Sequence, residues 1–274
     1  GRHKSVPMEE ILQEVRTLCS RGVKEFNVLA QDLSSYGIDL YGRQALPELI
    51  ERMSDIEGVE WIRLHYAYPS QFPYDVLRVM RERDNVCKYL DIALQHINDN
   101  VLSNMRRHIN KEETLRLIER IRKEVPGIHI RTTLTVGFPG EGEAEFEELK
   151  EFVREAQFER MGAFAYSEEE GTYAAQNFTD SIPEEVKQER LNELMEIQEE
   201  ISIDVSEKNL GKIIKVLLDR KDDGFYVGRT EFDSPEVDPE VLIPIEEGEL
   251  ELGKFYNVRI IDAMPFEMIG EVVL

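Results

Sequence analysis

Thr132-Thr133-Leu134-Thr135-Val136-Gly137-Phe138-Pro139-Gly140-Glu141 decides the fold of this chain. A β-branched strand runs straight into a Gly-Phe-Pro-Gly turn, and acidic residues open the helix that follows. Turns of this kind, at the carboxyl ends of parallel strands, are where α/β barrels build their active sites. Gly137 and Gly140 let the backbone bend and approach a ligand, and Pro139 stiffens the turn. Taken alone, the stretch reads equally well as an ordinary tight βα connection. Its neighbours favour a site: Leu90-Asp91-Ile92-Ala93-Leu94-Gln95-His96 upstream and Phe164-Ala165-Tyr166-Ser167-Glu168-Glu169-Glu170-Gly171-Thr172 downstream.

Outward from this stretch, helical and strand patterns alternate. Ile11, Leu12, Val15 and Leu18 predict a helix over 6–20, with Gly22 as its stop. Strands are predicted at 25–30, 60–65, 88–94, 128–136 and 161–166. Helices at about 46–56, 73–83, 99–105, 111–124 and 143–157 separate them. Short connections in such a series mark an α/β fold with a parallel sheet, here a partial, open TIM-like β/α barrel. From Ser181 the character changes. A capped start leads into charged helical sequence to about 210, whose charges read mostly as a solvated face. Short β-rich segments at 212–219, 224–229, 241–245, 255–262 and 267–273 then predict a small five-stranded, OB-like closed barrel.

With 33 Lys and Arg against 56 Asp and Glu, the 274 residues carry a net charge of −23. That balance argues against a chain built chiefly to coat nucleic acid and favours basic partners. No apolar run approaches the roughly 20 residues of a membrane span, and a cytoplasmic enzyme fits best. Cys19 and Cys87 are too few and too far apart for a disulfide framework or a cysteine-rich metal site. His3, His108 and His129 have no ligand spacing. The opening Gly1-Arg2-His3-Lys4-Ser5 already enters a helix, with Ser5 able to cap and Pro7 suited to the first turn, and reads as the start of a fragment.

Polar residues at strand ends are the candidates for chemistry. Gln31-Asp32-Leu33-Ser34-Ser35-Tyr36-Gly37 either faces the barrel mouth or forms an Asx turn. Gln95 and His96 close an apolar strand, where amide and imidazole can converge on a ligand. Met105-Arg106-Arg107 could hold a carboxylate or pair with local acids; His65, Tyr66 and Tyr68 could line a pocket or simply pack.

The order of these motifs resembles the radical S-adenosylmethionine methylthiotransferases. Ser5-Val-Pro-Met-Glu-Glu-Ile11, Gln31-Asp32 with Tyr36-Gly37, the 90–96 strand, Met105-Arg-Arg107, Val136-Gly-Phe-Pro-Gly-Glu141, Tyr166-Ser167 with Gly171-Thr172, and Asp233-Ser-Pro-Glu-Val-Asp238 follow in sequence. The resemblance covers the whole chain. It implies a radical SAM core at 1–206, lacking its N-terminal strand and cluster loop, and a TRAM domain at 207–274. It implies S-adenosylmethionine as cofactor, with two 4Fe–4S clusters in the full-length protein and none ligated by this fragment. The family's Cys-x3-Cys-x2-Cys loop is expected upstream of Gly1, and without it the fragment is expected to be inactive. By resemblance, Gln31 and Asp32 bind the methionine end, Gln95 approaches the ribose or amino-acid part, and Gly137, Gly140, Glu141 and Tyr166 flank the adenosine. No catalytic or metal-ligating residue is assigned.

Within the family, Ala30-Gln31-Asp32 and Glu168-Glu169-Glu170 stand where tRNA-modifying members carry Gly-Gln-Asn and a Pro-Arg-Pro-Gly-Thr-like stretch. The resemblance therefore points to methylthiolation of an aspartate β-carbon in ribosomal protein S twelve of the small subunit. Residues 208–274 carry 8 basic and 15 acidic side chains. A barrel gripping tRNA should be basic on its binding face, so an acidic TRAM domain suits a basic ribosomal protein better. Acidity for solubility alone is the plainer explanation. A tRNA adenosine methylthiotransferase is the alternative function. A non-catalytic binding module is the second, and it requires a genuine translation start near Gly1.

Overall fold

The computed structural model describes residues 4–273. Gly1, Arg2 and His3, which entered the readings of the helix entry and the histidines, lie outside the described residues, as does Leu274. The first part runs α1 (Met8–Ser20), β1 (Glu25–Val28), α2 (Ile38–Tyr41), α3 (Leu46–Ser54), β2 (Trp61–Ala67), α4 (Asp75–Glu82) and β3 (Val86–Ile92). It continues with α5 (Asp99–Asn104), α6 (Lys111–Glu124), β4 (His129–Val136), α7 (Glu143–Ala156), β5 (Arg160–Ala165), α8 (Tyr173–Asn177) and α9 (Glu184–Glu207). The five strands form one parallel sheet in sequence order.

Strand side chains alternate between two faces. Phe26, Ile62, Leu64, Leu90, Ile130 and Leu134 take the helix-covered face, where they meet Leu12, Leu49, Leu77, Leu117 and Phe146. Burying each such side chain contributes about 1.5–3 kcal/mol. The other face is polar, carrying Arg63, His65, Asp91, His129 and Arg131. Two local expectations change. Ser5 does not cap α1; its hydroxyl accepts the Gly37 N–H at 3.0 Å, tying the chain entry to the loop after β1. On α9, the acidic residues are largely solvated as expected, but Lys187 and Arg190 are buried against the β4–α7 turn.

The second part contains β6 (Ile213–Asp222), β7 (Phe225–Arg229), β8 (Glu240–Pro244), β9 (Phe255–Ala263) and β10 (Glu267–Val272). They close into a barrel in the order β10-β8-β7-β6-β9 around Val216, Leu218, Tyr226, Val241, Val258 and Ile260. The connection from β7 to β8 forms a wedge under the polar face of the parallel sheet. Arg160 donates to Asp233 at 2.6 and 3.0 Å, Arg131 to Asp238 at 2.6 Å, and Tyr89 to Asp238 at 2.8 Å. Arg63 donates to the carbonyls of Thr230 and Glu231, and His129 stacks on Phe232 with ring centroids 4.1 Å apart. Buried pairs of this kind add little net stability but fix one arrangement, because each is costly to break. The motif at 233–238 is thus the seal at the amino-terminal end of the sheet.

Candidate active site

The opposite, carboxyl-terminal end of the sheet gathers the candidate residues. After β4 the chain turns at Gly137, whose φ of +74° favours glycine. The Lys187 side chain occupies the space a Cβ would need there. Glu141 is buried and folds back: Oε1 accepts from the Gly137 N–H and from Arg190, each at 2.8 Å. His96 is fully buried. Its Nδ1 accepts the Asn98 N–H at 3.0 Å, so Nε2 donates to Glu141 Oε2 at 3.0 Å. The structure therefore separates the Gln95-His96 pair: His96 braces the turn while Gln95 faces a cavity.

That cavity, about 360 Å³, is lined by Gln95, Asn104, Arg106, Thr135, Phe138 and Tyr166, among others. Gln95 sits at φ +70°, held by backbone hydrogen bonds to Thr133 and Thr135. Thr135 Oγ1 donates to Gln95 Oε1 at 2.6 Å. The Tyr166 N–H donates to Val136 O at 2.8 Å, its ring meets Phe138 edge-on, and its hydroxyl is buried without a hydrogen-bond partner among the described residues. Arg106 lies over the Tyr173 ring at 3.7 Å, and Arg107 over Tyr68 at 4.2 Å. Burial pulls the Arg107 pKa below its ordinary value. Neither arginine forms an ion pair with a carboxylate among the described residues.

Gln31 and Asp32 line a separate cavity of about 780 Å³, together with Tyr68, Gln71, Phe72 and His108. Asp32 accepts the Ser34 N–H at 2.8 Å and caps a short 3-10 turn at Leu33–Ser35, the Asx-turn geometry. The stacked Tyr68 and Arg107 contribute one to each lining. Of the seven non-glycine residues at positive φ among the described residues, Gln71, Gln95 and Arg106 belong to these connections, as strained backbone at functional sites does, and Tyr66 lies near the end of β2. Gly137, Gly140 and Glu141 build the turn beneath the smaller cavity rather than its lining.

Sequence reasoning passed over Thr135, Asn104, Lys187 and Arg190. Thr135 shares the strand parity of Arg131, so alternation alone places it on the polar face. Lys187, Arg190 and Leu194 fall at helical spacing, the signal that all three lie on one stripe.

Residues 1–153 match the Radical SAM superfamily and residues 210–273 match the TRAM domain. The chain belongs to the radical SAM superfamily. It is 66% identical over 273 residues to the ribosomal protein uS12 methylthiotransferase RimO of Bacteroides fragilis, covering 100% of this chain and 63% of that protein. The protein of the same name from Porphyromonas gingivalis is 61% identical over 274 residues, again with 100% and 63% covered. The chain thus spans 63% of the length of the curated relatives it matches. Among solved structures, Escherichia coli coproporphyrinogen III oxidase (HemN), a radical SAM enzyme, superposes with a TM-score of 0.52 at 16% identity. That match covers 71% of this chain and 46% of that one, and it shows the fold alone.

Radical SAM membership implies S-adenosylmethionine and a 4Fe–4S cluster. Clusters are held by thiolates. Cys87 is buried on β3, where burial pushes its thiol up to about 12, and Cys19 lies on α1; no group of three metal-binding side chains occurs among the described residues. The described residues do not fit a cluster. They do fit S-adenosylmethionine, because the smaller cavity offers an orphaned tyrosine hydroxyl, a fixed glutamine amide and guanidinium groups without a carboxylate partner among the described residues to a polar ligand.

Proposed function

We propose that this chain supplies the S-adenosylmethionine-binding and substrate-facing part of a methylthiotransferase acting on the β-carbon of an aspartate in ribosomal protein uS12. The observation that carries this reading is 66% identity along the entire chain to proteins named ribosomal protein uS12 methylthiotransferase RimO; the aspartate β-carbon comes from the family resemblance. Gln95 and Tyr166 would hold the cofactor within the smaller cavity, over the turn formed by Gly137, Gly140 and Glu141. The methionine end would extend past the stacked Tyr68 and Arg107 toward Gln31 and Asp32 in the neighbouring cavity. We take residues 1–206 as the radical SAM core and 207–274 as the TRAM domain. Because these residues do not provide cluster ligands, the chain by itself should be inactive, and both clusters belong to the longer protein. The acidic TRAM domain would meet basic uS12 in the cytoplasm. No helix among the described residues is long and apolar enough to cross a membrane.

The test uses the full-length gene product with its clusters reconstituted anaerobically. It is incubated with S-adenosylmethionine, a reductant, and both uS12 and tRNA, and the masses of both substrates are read. A methylthio gain on the uS12 aspartate is expected. A gain on tRNA adenosine alone would replace the substrate, and a gain on neither would favour a binding module.

A further inference from the structure

We propose that Thr135 is the positioning residue that presents Gln95 to the ligand of the smaller cavity as a hydrogen-bond donor. The inference rests on the reading that this cavity holds S-adenosylmethionine. A glutamine amide has a donor end and an acceptor end of nearly the same shape, and a free one can offer either. Here the choice is fixed. The Thr135 hydroxyl donates to Oε1 at 2.6 Å and occupies the acceptor end. Nε2 makes no hydrogen bond among the described residues, and Gln95 lines the cavity.

The backbone holds the arrangement. Gln95 forms an isolated parallel bridge with Leu134, donating to Thr133 O at 2.9 Å and accepting from Thr135 N at 2.8 Å. These bonds sustain its left-handed φ of +70° and bring its side chain against Thr135. The branched Thr135 side chain has restricted rotamers, which hold its hydroxyl oxygen in place, and against the Gln95 oxygen it can only donate. A ligand entering the cavity therefore meets N–H groups at this point and must supply an oxygen acceptor. S-adenosylmethionine carries such acceptors in its ribose hydroxyls and its carboxylate.

The test measures S-adenosylmethionine affinity of the full-length, cluster-reconstituted protein by equilibrium dialysis. Thr135→Val is expected to weaken binding by about threefold to tenfold, the range of one neutral hydrogen bond. Thr135→Ser restores the hydroxyl and should bind within about twofold of wild type. Gln95→Glu keeps the shape but offers no donor, so it should lose at least as much as Thr135→Val. Unfolding midpoints and cluster absorbance confirm that each variant is folded and loaded. Wild-type affinity in Thr135→Val, or full affinity in Gln95→Glu, overturns the proposal while leaving the cofactor reading intact. Failure of the loaded wild type to bind S-adenosylmethionine overturns both.

Discussion

Glu141 folds back on Gly137, with Oε1 accepting the Gly137 N–H at 2.8 Å across a turn of four residues. His96, in the loop after β3, and Arg190, on α9, hold the same carboxylate, so one buried acid ties two other parts of the fold to the turn. Replacing it leaves the buried Arg190 with only the exposed Glu143 carboxylate, 3.8 Å away, as a charge partner among the described residues. Glu141→Ala should destabilise the protein by about 3–5 kcal/mol, and Glu141→Gln by about 1–3 kcal/mol. Urea unfolding midpoints measure both; an unchanged midpoint for Glu141→Ala would remove the bracing role.

Arg160 and Asp233 form a second dry pair, this one joining β5 to the wedge. Asp233→Ala should cost about 3–5 kcal/mol by stranding the guanidinium. Arg160→Met combined with Asp233→Leu should recover most of that loss, because neither charge then remains to be solvated. A double-mutant cycle read by denaturant unfolding checks this. Additive losses would mean that the two residues do not act as a pair.

His129 gives the fold a pH dependence. Burial pulls its pKa from 6.5 to about 3, with Arg160 adding repulsion. The folded value lies below the unfolded one, so the contribution is complete above pH 6.5. Between pH 6.5 and about 3 the unfolded chain binds a proton that the folded chain refuses. Stability should therefore fall on acidification by up to about 1.4 kcal/mol per pH unit from this residue. His129→Phe should flatten the dependence between pH 7 and 5. Identical slopes for wild type and variant would refute the assignment.

The two thiols should separate cleanly. Cys87 is 1% exposed and its pKa is about 12, whereas Cys19 is only partly buried. A thiol reagent at neutral pH should label Cys19 in the native protein and reach Cys87 only on unfolding. Peptide mapping after brief alkylation decides it; native labelling of Cys87 would contradict its buried position.

Much of this was legible in the sequence where periodicity and turn chemistry agree. The strand predicted over 128–136 is observed at His129–Val136, and the helix predicted over 143–157 is observed at Glu143–Ala156. Alternation and a Gly-Phe-Pro-Gly turn carry that information locally. The polar face of the sheet was not legible as buried, because the acids that cover it lie 73 and 107 residues away along the chain. Nor could sequence tell that Gln31 and Gln95 line different cavities. Both follow strands, but where each loop carries its side chain depends on packing between loops. Lys187 and Arg190 were hidden by a helix whose composition is dominated by exposed acids.

The wedge also imposes an order on biosynthesis. β4 and β5 leave the ribosome well before Asp233 and Asp238, so Arg131 and Arg160 begin life without the acids that later neutralise them. Until those acids emerge, the guanidinium groups stay in water and the underside of the sheet stays open. The polar face of the nascent parallel sheet therefore lacks its covering acids through the synthesis of α9 and β6–β7. The pairs that seal it can form only once the β7–β8 connection of the small barrel has been made.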